Sequence, residues 1–113
     1  MTQFNLKDNL AQIKTVTNVS EHYGYLKLET ACPIKYCNES LVLYAQETND
    51  GILLTDLAET YEDALLNGFS EEQLKSITKK HNLTFDNKCI TTITNNPETA
   101  IQAFFNLITE LDL

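Results

Sequence analysis

The sequence predicts an α+β fold, a small and mostly antiparallel sheet of about five strands packed by about four helices. Three observations carry that expectation. Strand-like segments come in consecutive pairs joined by short Asn/Asp/Gly turns, as hairpins do and crossover units do not. Segments of helical period open on capping residues and fall outside those pairs. With 113 residues, 42% of them hydrophobic, the chain suits one domain, 1–113, built on one core.

In segment 5–15, Leu6, Leu10 and Ile13 fall at helical spacing among Lys7, Asp8, Gln12 and Lys14, which predicts an amphipathic first helix. The period then changes. From 22 to 29, Leu26 and Leu28 alternate with Tyr25, Lys27 and Glu29 as in a half-buried strand, with Gly24 marking a bulge or close approach. In 31–38, Pro33 denies the chain a central ladder position and holds Cys32 extended, so a loop or edge segment is expected. Segments 41–46 and 52–55 form a hairpin closed by Asn49-Asp50-Gly51, residues that accept the positive backbone angles of a tight turn.

A helix follows with Thr55 or Asp56 as its cap, Leu57, Tyr61, Ala64 and Leu65 facing inward, and Gly68 past its end. The next helix, 71–81, is marked by a Ser70/Gln73 capping box and a Phe69/Leu74 staple, with Lys79, Lys80 and His81 at the negative end of its dipole. Segments 83–85 and 88–93 read as a second hairpin turning at Asp86-Asn87. In the closing helix Asn96 is the cap and Pro97 the first residue, and Ile101, Phe104, Phe105, Ile108 and Leu111 form one apolar stripe.

Sixteen Asp and Glu face eight positive residues, all of them Lys, for a formal net charge of −8. Direct nucleic-acid binding is disfavoured, because phosphate contacts and guanine readout draw on clusters of Lys and Arg. Between Lys35 and Lys75 there is no positive side chain, while Glu39, Glu47, Asp50, Asp56, Glu59, Glu62, Asp63, Glu71 and Glu72 all fall there. One region of the surface should therefore carry a negative potential. No stretch approaches the roughly 20 apolar residues of a membrane span, and Lys7 and Asp8 lie where a signal peptide would be apolar. A cytoplasmic protein without membrane contact is expected. The richness in Asn, Thr, Ile and Lys without Arg fits an AT-rich bacterial or phage source.

Pro33, the strand at 41–46 and the run Gly51-Ile52-Leu53-Leu54-Thr55-Asp56-Leu57-Ala58-Glu59-Thr60 together resemble a bacterial family, the domain of unknown function numbered eighteen twenty-eight. The similarity runs from about Tyr25 to the C-terminus. The resemblance implies a strand ending in Leu-Thr-Asp that leads into a helix and a long helix closing the domain; it implies no activity. Cys32 and Ala58 stand where the family has Thr and Gly, and the second departure argues against a tight glycine-type turn after Asp56.

Cys32 and Cys37 have a spacing too wide for a redox motif or most zinc knuckles, and Cys89, His22 and His81 are not at ligand spacing from one another. Free thiols, no metal and no cofactor are expected. Asp56, ending a strand where a helix starts, is placed either for polar chemistry or to cap the helix. His22 beside Tyr23 and Tyr25 suggests either a general base or an aromatic contact surface, and no Ser-His-Asp or Cys-His order accompanies it, so no catalytic residue is assigned. Tyr23 and Tyr25, expected on one face of their strand, suit interface anchors as well as core positions. Glu59, Glu62, Asp63, Glu71 and Glu72 read as a solvated helix face or as an acidic docking surface.

The reading that joins these features is a non-enzymatic acidic protein-binding module. It would act as an inhibitor or immunity-type partner of a nucleic-acid-handling enzyme, through Glu59, Glu62, Asp63, Glu71, Glu72, Tyr23 and Tyr25 on a basic protein surface. The alternative is a small metal-dependent hydrolase or nuclease-like enzyme using Asp56 and neighbouring carboxylates.

Overall fold

Left-handed backbone at three turns builds the sheet. Tyr23 and Gly24, with φ of 48° and 84°, reverse the chain between β1 (Val16–His22) and β2 (Tyr25–Ile34). Gly51, at φ 140°, ends the turn between β3 (Glu39–Thr48) and β4 (Gly51–Thr55). A Cβ at Gly51 would lie 3.0 Å from the Thr94 carbonyl oxygen, so the position needs glycine for space as well as for angle. Asn87 and Lys88, at 50° and 68°, join β5 (Thr84–Asp86) to β6 (Cys89–Thr94). Two consecutive positive angles match the right-handed twist of a two-residue hairpin.

The computed structural model describes residues 5–35 and 38–113. Among them the fold is α+β, with a six-stranded antiparallel sheet in the order β1-β2-β3-β4-β6-β5 and four helices. The helices are α1 (Leu6–Ala11), α2 (Glu59–Leu66), α3 (Glu71–Lys80) and α4 (Pro97–Glu110). None is long and apolar enough to cross a membrane.

Period-two alternation sorts the sheet's two faces. Leu28 opposite Leu43 and Ala45 opposite Leu54 place an apolar row on one face, where a single cluster joins them to Leu10, Leu74, Ile101, Phe104 and Leu107 of the helices. The other face carries Lys27, Tyr44, Thr55 and Thr91 in one cross-strand row. The expected capping chemistry is present: Ser70 and Gln73 close a reciprocal box, and Asn96 accepts from Thr99 N–H before Pro97. Four contacts tie the chain's end to the rest. Lys35 pairs with Asp112, Asn67 donates to the Leu111 carbonyl at 2.9 Å, and Glu110 receives His81 at 2.7 Å and Lys80 at 3.1 Å.

Several sequence expectations need correction. The first helix stops at Ala11 instead of reaching 15, and residues 16–22 form a sixth strand where about five were expected. Apolar alternation is weak there because β1 is an edge, and a register shift between Val16 and Asn18 breaks the period. Gly24 sits in a turn, not within a strand, and Tyr23 is its partner in that turn. Pro33 lies in β2 and not in a loop, but the β1 ladder ends at Thr30, so Pro33 pairs with Ser40 of β3 alone and the edge reading is right. In the hairpin at 49–51, Gly51 alone takes a positive φ; the second hairpin turns one residue later than expected. Cys37 lies outside the described residues.

Phe104 is 1% exposed in the core cluster. Phe104→Ala should cost about 3–5 kcal/mol in denaturant melts, the usual range for a deleted buried aromatic; a loss below about 1 kcal/mol would place the ring at the surface.

Candidate functional site

At the end of β4 the side chain of Asp56 takes over the hydrogen bonding of the strand ladder. Its main-chain N–H donates to the Ile90 carbonyl at 3.1 Å, while its Oδ1 accepts from Ile90 N–H at 2.9 Å and from Ala58 N–H at 3.0 Å. Oδ2 accepts from Thr60 N–H at 3.1 Å. The carboxylate thus joins β4, β6 and the first turn of α2, and it is fully buried. Neither Thr55 nor Asp56 is the N-cap expected of them: α2 begins at Glu59 with Ala58 at the cap position and no side-chain cap bond there, and Asp56 reaches past it to the Thr60 N–H in the first turn. Burial pushes the Asp56 carboxyl up, against the lowering effect of the Ile90, Thr60 and Ala58 donors.

Between Asp56 and α2, Leu57 and Ala58 both adopt left-handed backbone, φ 49° and 69°. Non-glycine residues enter that region at a cost of about 1–2 kcal/mol each. The tight turn that Ala58 argued against is therefore present, held by the Asp56 bonds and by Thr55 Oγ1, which accepts from Leu57 N–H at 3.1 Å.

This turn aims the first helical face of α2 at the start of β3. Glu59, Glu62 and Asp63 stand at i, i+3 and i+4, so they share one side of the helix. Together with Glu39 they line a cleft of about 340 Å³, floored by Leu41, Ile108 and Leu113 among others. Partial burial raises the Glu59 carboxyl first, followed by the charge of Asp56; Lys27 pulls it down, and Glu39 and Asp63 push it up again. Asp63 is likewise raised, by burial and then by Glu62 and Glu39. Like charges from α2 and β3 thus act on Glu59 and Asp63, and Lys27 opposes them at Glu59. A shallower groove of about 490 Å³, lined by Lys27, Glu29 and Thr30 among others, shares Glu39, Ser40 and Val42 with the cleft.

Of the acidic residues expected to act together, Glu59, Glu62 and Asp63 converge, and Glu71 and Glu72 do not line the cleft. Glu71 accepts from the Tyr61 hydroxyl at 3.1 Å and faces Lys75 at 3.7 Å, and Glu72 is exposed in the first turn of α3. Glu39 was absent from the expected set, although it opens the lysine-free acidic run. Tyr23 and Tyr25 do not line the cleft: Tyr25 stands four residues along β2 from Glu29, the partner of the cleft residue Val42, about 13 Å at strand rise. His22 and Tyr25 pair across the hairpin, and the His22 ring packs edge-on to Tyr23 at 4.8 Å and tilted to Tyr44 at 5.3 Å. This is an aromatic cluster with Tyr23 projecting almost wholly into solvent.

Among the described residues no group of three or more His, Cys, Asp or Glu side chains is arranged to hold a metal ion. Asp56, the residue on which the metal-dependent alternative was built, spends both oxygens on backbone donors. Burial pushes up the thiols of Cys32 and Cys89, which leaves them poor nucleophiles near neutral pH. No family model, curated protein or solved structure matches this chain, and the resemblance drawn from residues 51–60 rests on its motif.

Two substitutions should act with opposite signs in denaturant melts. Asp56→Ala strands three buried or half-buried N–H groups and should cost about 3 kcal/mol or more. Ala58→Gly relieves left-handed backbone and should gain about 1 kcal/mol. A neutral Asp56→Ala would show that the clamp does not hold the turn.

The raised carboxyls also set a pH dependence. Asp56 and Asp63 lie above their ordinary 3.8 and Glu59 above its ordinary 4.5, so the folded chain keeps protons that the unfolded chain has released. These groups cost nothing below the ordinary values and their full penalty above the raised ones, so stability falls as pH rises through that window. Glu110, lowered chiefly by its hydrogen bond with His81, acts in the other sense and loses its contribution on acidification. The melting temperature should rise on acidification toward those ordinary values, and Glu59→Gln should diminish that rise. An equal rise in both proteins would contradict the assignment.

Proposed function

We propose that this protein is a non-enzymatic, acidic protein-binding module that docks a basic surface of its partner through the cleft at Glu39, Glu59, Glu62 and Asp63. The observation that carries the reading is that these carboxylates gather in one depression, where Lys27 offsets the charge at Glu59 alone. A lysine or arginine of the partner entering there relieves repulsion already present in the free protein, so binding gains from charges the fold has had to confine. Glu71 and Glu72 add long-range attraction. A nucleic-acid-handling enzyme, inhibited or neutralised in a bacterial or phage-infected cytoplasm, is the partner class that offers such a basic groove. Direct contact with nucleic acid is disfavoured by the net charge of −8. The metal-dependent alternative, for which no ligand cluster is gathered among the described residues, would show itself as a melting temperature raised by Mg²⁺ or Mn²⁺. The family resemblance is compatible with either reading.

The test uses a partner captured from the source cell, purified, and measured by stopped-flow association. Reversing Glu59, Glu62 and Asp63 to Lys should slow association at least tenfold at about 50 mM salt, where charge steering is strongest. Wild-type association should slow as salt rises to about 300 mM. Reversing Glu71 and Glu72 should have the smaller effect. Rates indifferent to both salt and charge reversal would end the docking reading.

A further inference from the structure

The two edges of the sheet are unequal: β5 is three residues long, whereas β1 offers seven. In a two-residue hairpin the residues flanking the turn form a hydrogen-bonded pair, and such pairs alternate along the ladder. His22 opposite Tyr25 therefore fixes Ser20 and Asn18 as the residues bonded inward to β2, and it leaves the N–H and C=O groups of Val19 and Glu21 pointing out of the sheet. Among the described residues no backbone hydrogen bond reaches those outward groups. The register shift between Val16 and Asn18 ends the regular edge, so 18–22 is the stretch open to pairing.

We propose that β1 pairs antiparallel with β1 of a second copy of this chain, about a two-fold axis at Ser20, to make a continuous sheet through both. This register uses the whole regular edge. It sets Val19 against Glu21 of the second copy, and Glu21 against its Val19, so outward groups meet outward groups in two hydrogen-bonded pairs. Ser20 then meets its own copy, Asn18 meets His22, and no two like charges stand directly opposite. The exposed Tyr23 passes beyond the pairing to the level of the bulged Thr17 of the second copy.

Charge permits this meeting at β1. α1, the loop after it, β1 and the β2 residues paired with β1 carry Lys7, Lys14 and Lys27 against Asp8, Glu21 and Glu29, while Lys35 pairs with Asp112 at the far end of β2. Two copies thus approach by their near-neutral ends, leaving the acidic cleft of each free. The pairing is independent of what the cleft binds.

Light scattering on the full chain over about 10 to about 500 µM, the range of a short and weak interface, should show a mass rising toward twice the 12.8 kDa of one chain. Ser20→Glu keeps the fold, because residue 20 faces Lys27 within its own chain. It also sets two carboxylates opposite each other across the axis and should hold the mass at one chain. The register has its own readout. Non-bonded antiparallel pairs bring Cα atoms to about 4.5 Å, within the range of a disulfide. Ser20→Cys should therefore cross-link on oxidation at least tenfold faster than Asn18→Cys, above the background of the wild-type thiols. A wild-type mass of one chain throughout, dimers indifferent to Ser20→Glu, or Asn18→Cys cross-linking as fast as Ser20→Cys would each overturn the proposal.

Discussion

The buried carboxylate of Asp56 is the constraint on which the rest of this structure depends. It binds the end of β4 to β6 through both the donor and the acceptor of Ile90, and through Ala58 and Thr60 it fixes the turn that starts α2. Without those donors a carboxylate in this position would be an uncompensated buried charge, and without the carboxylate three N–H groups would lack partners. Each half makes the other tolerable. The left-handed Leu57-Ala58 step, unfavourable for residues with a Cβ, persists because the surrounding bonds leave the chain no other path.

From that turn follows the charge arrangement. α2 presents Glu59, Glu62 and Asp63 on one side, and the clamp points this side at Glu39 on β3 instead of at open solvent. Carboxylates half-buried and brought together in this way oppose folding, and the upward push on Glu59 and Asp63, from burial first and from their like-charged neighbours second, is the trace of that cost. A core uniting the sheet with Phe104, Ile101 and Leu107 of α4 supplies the stability that carries it. Strain and repulsion of this kind, held where a partner can reach it, are what connect the fold to a binding role.

Much of this was legible in the sequence wherever the governing chemistry is local. The Ser70/Gln73 box, Asn96-Pro97 and the stripe through Phe104 identify α3 and α4 because caps and period act within a few residues. β1 was missed because an edge strand needs few apolar residues, and a bulge at Thr17 removed what alternation there was. The cleft was half visible. Glu59, Glu62 and Asp63 follow from helical spacing, whereas Glu39 joins them through the pairing of β3 with its neighbours, which no window of sequence reports. The turn at Ala58 was misread because glycine is the usual sign of left-handed backbone, and here hydrogen bonds to Asp56 stand in for it.

The convergence of these carboxylates is measured most directly by following side-chain carboxyl carbons by NMR through a pH titration of the wild type and of Glu39→Gln. Glu39 raises both Glu59 and Asp63 through space, and it belongs to a different element from either. In the wild type both groups should titrate above their ordinary values, and Glu39→Gln should lower both together while leaving Glu110 unmoved. Ordinary titration of Glu59 and Asp63, or indifference of both to the loss of Glu39, would contradict the account of a single acidic cleft.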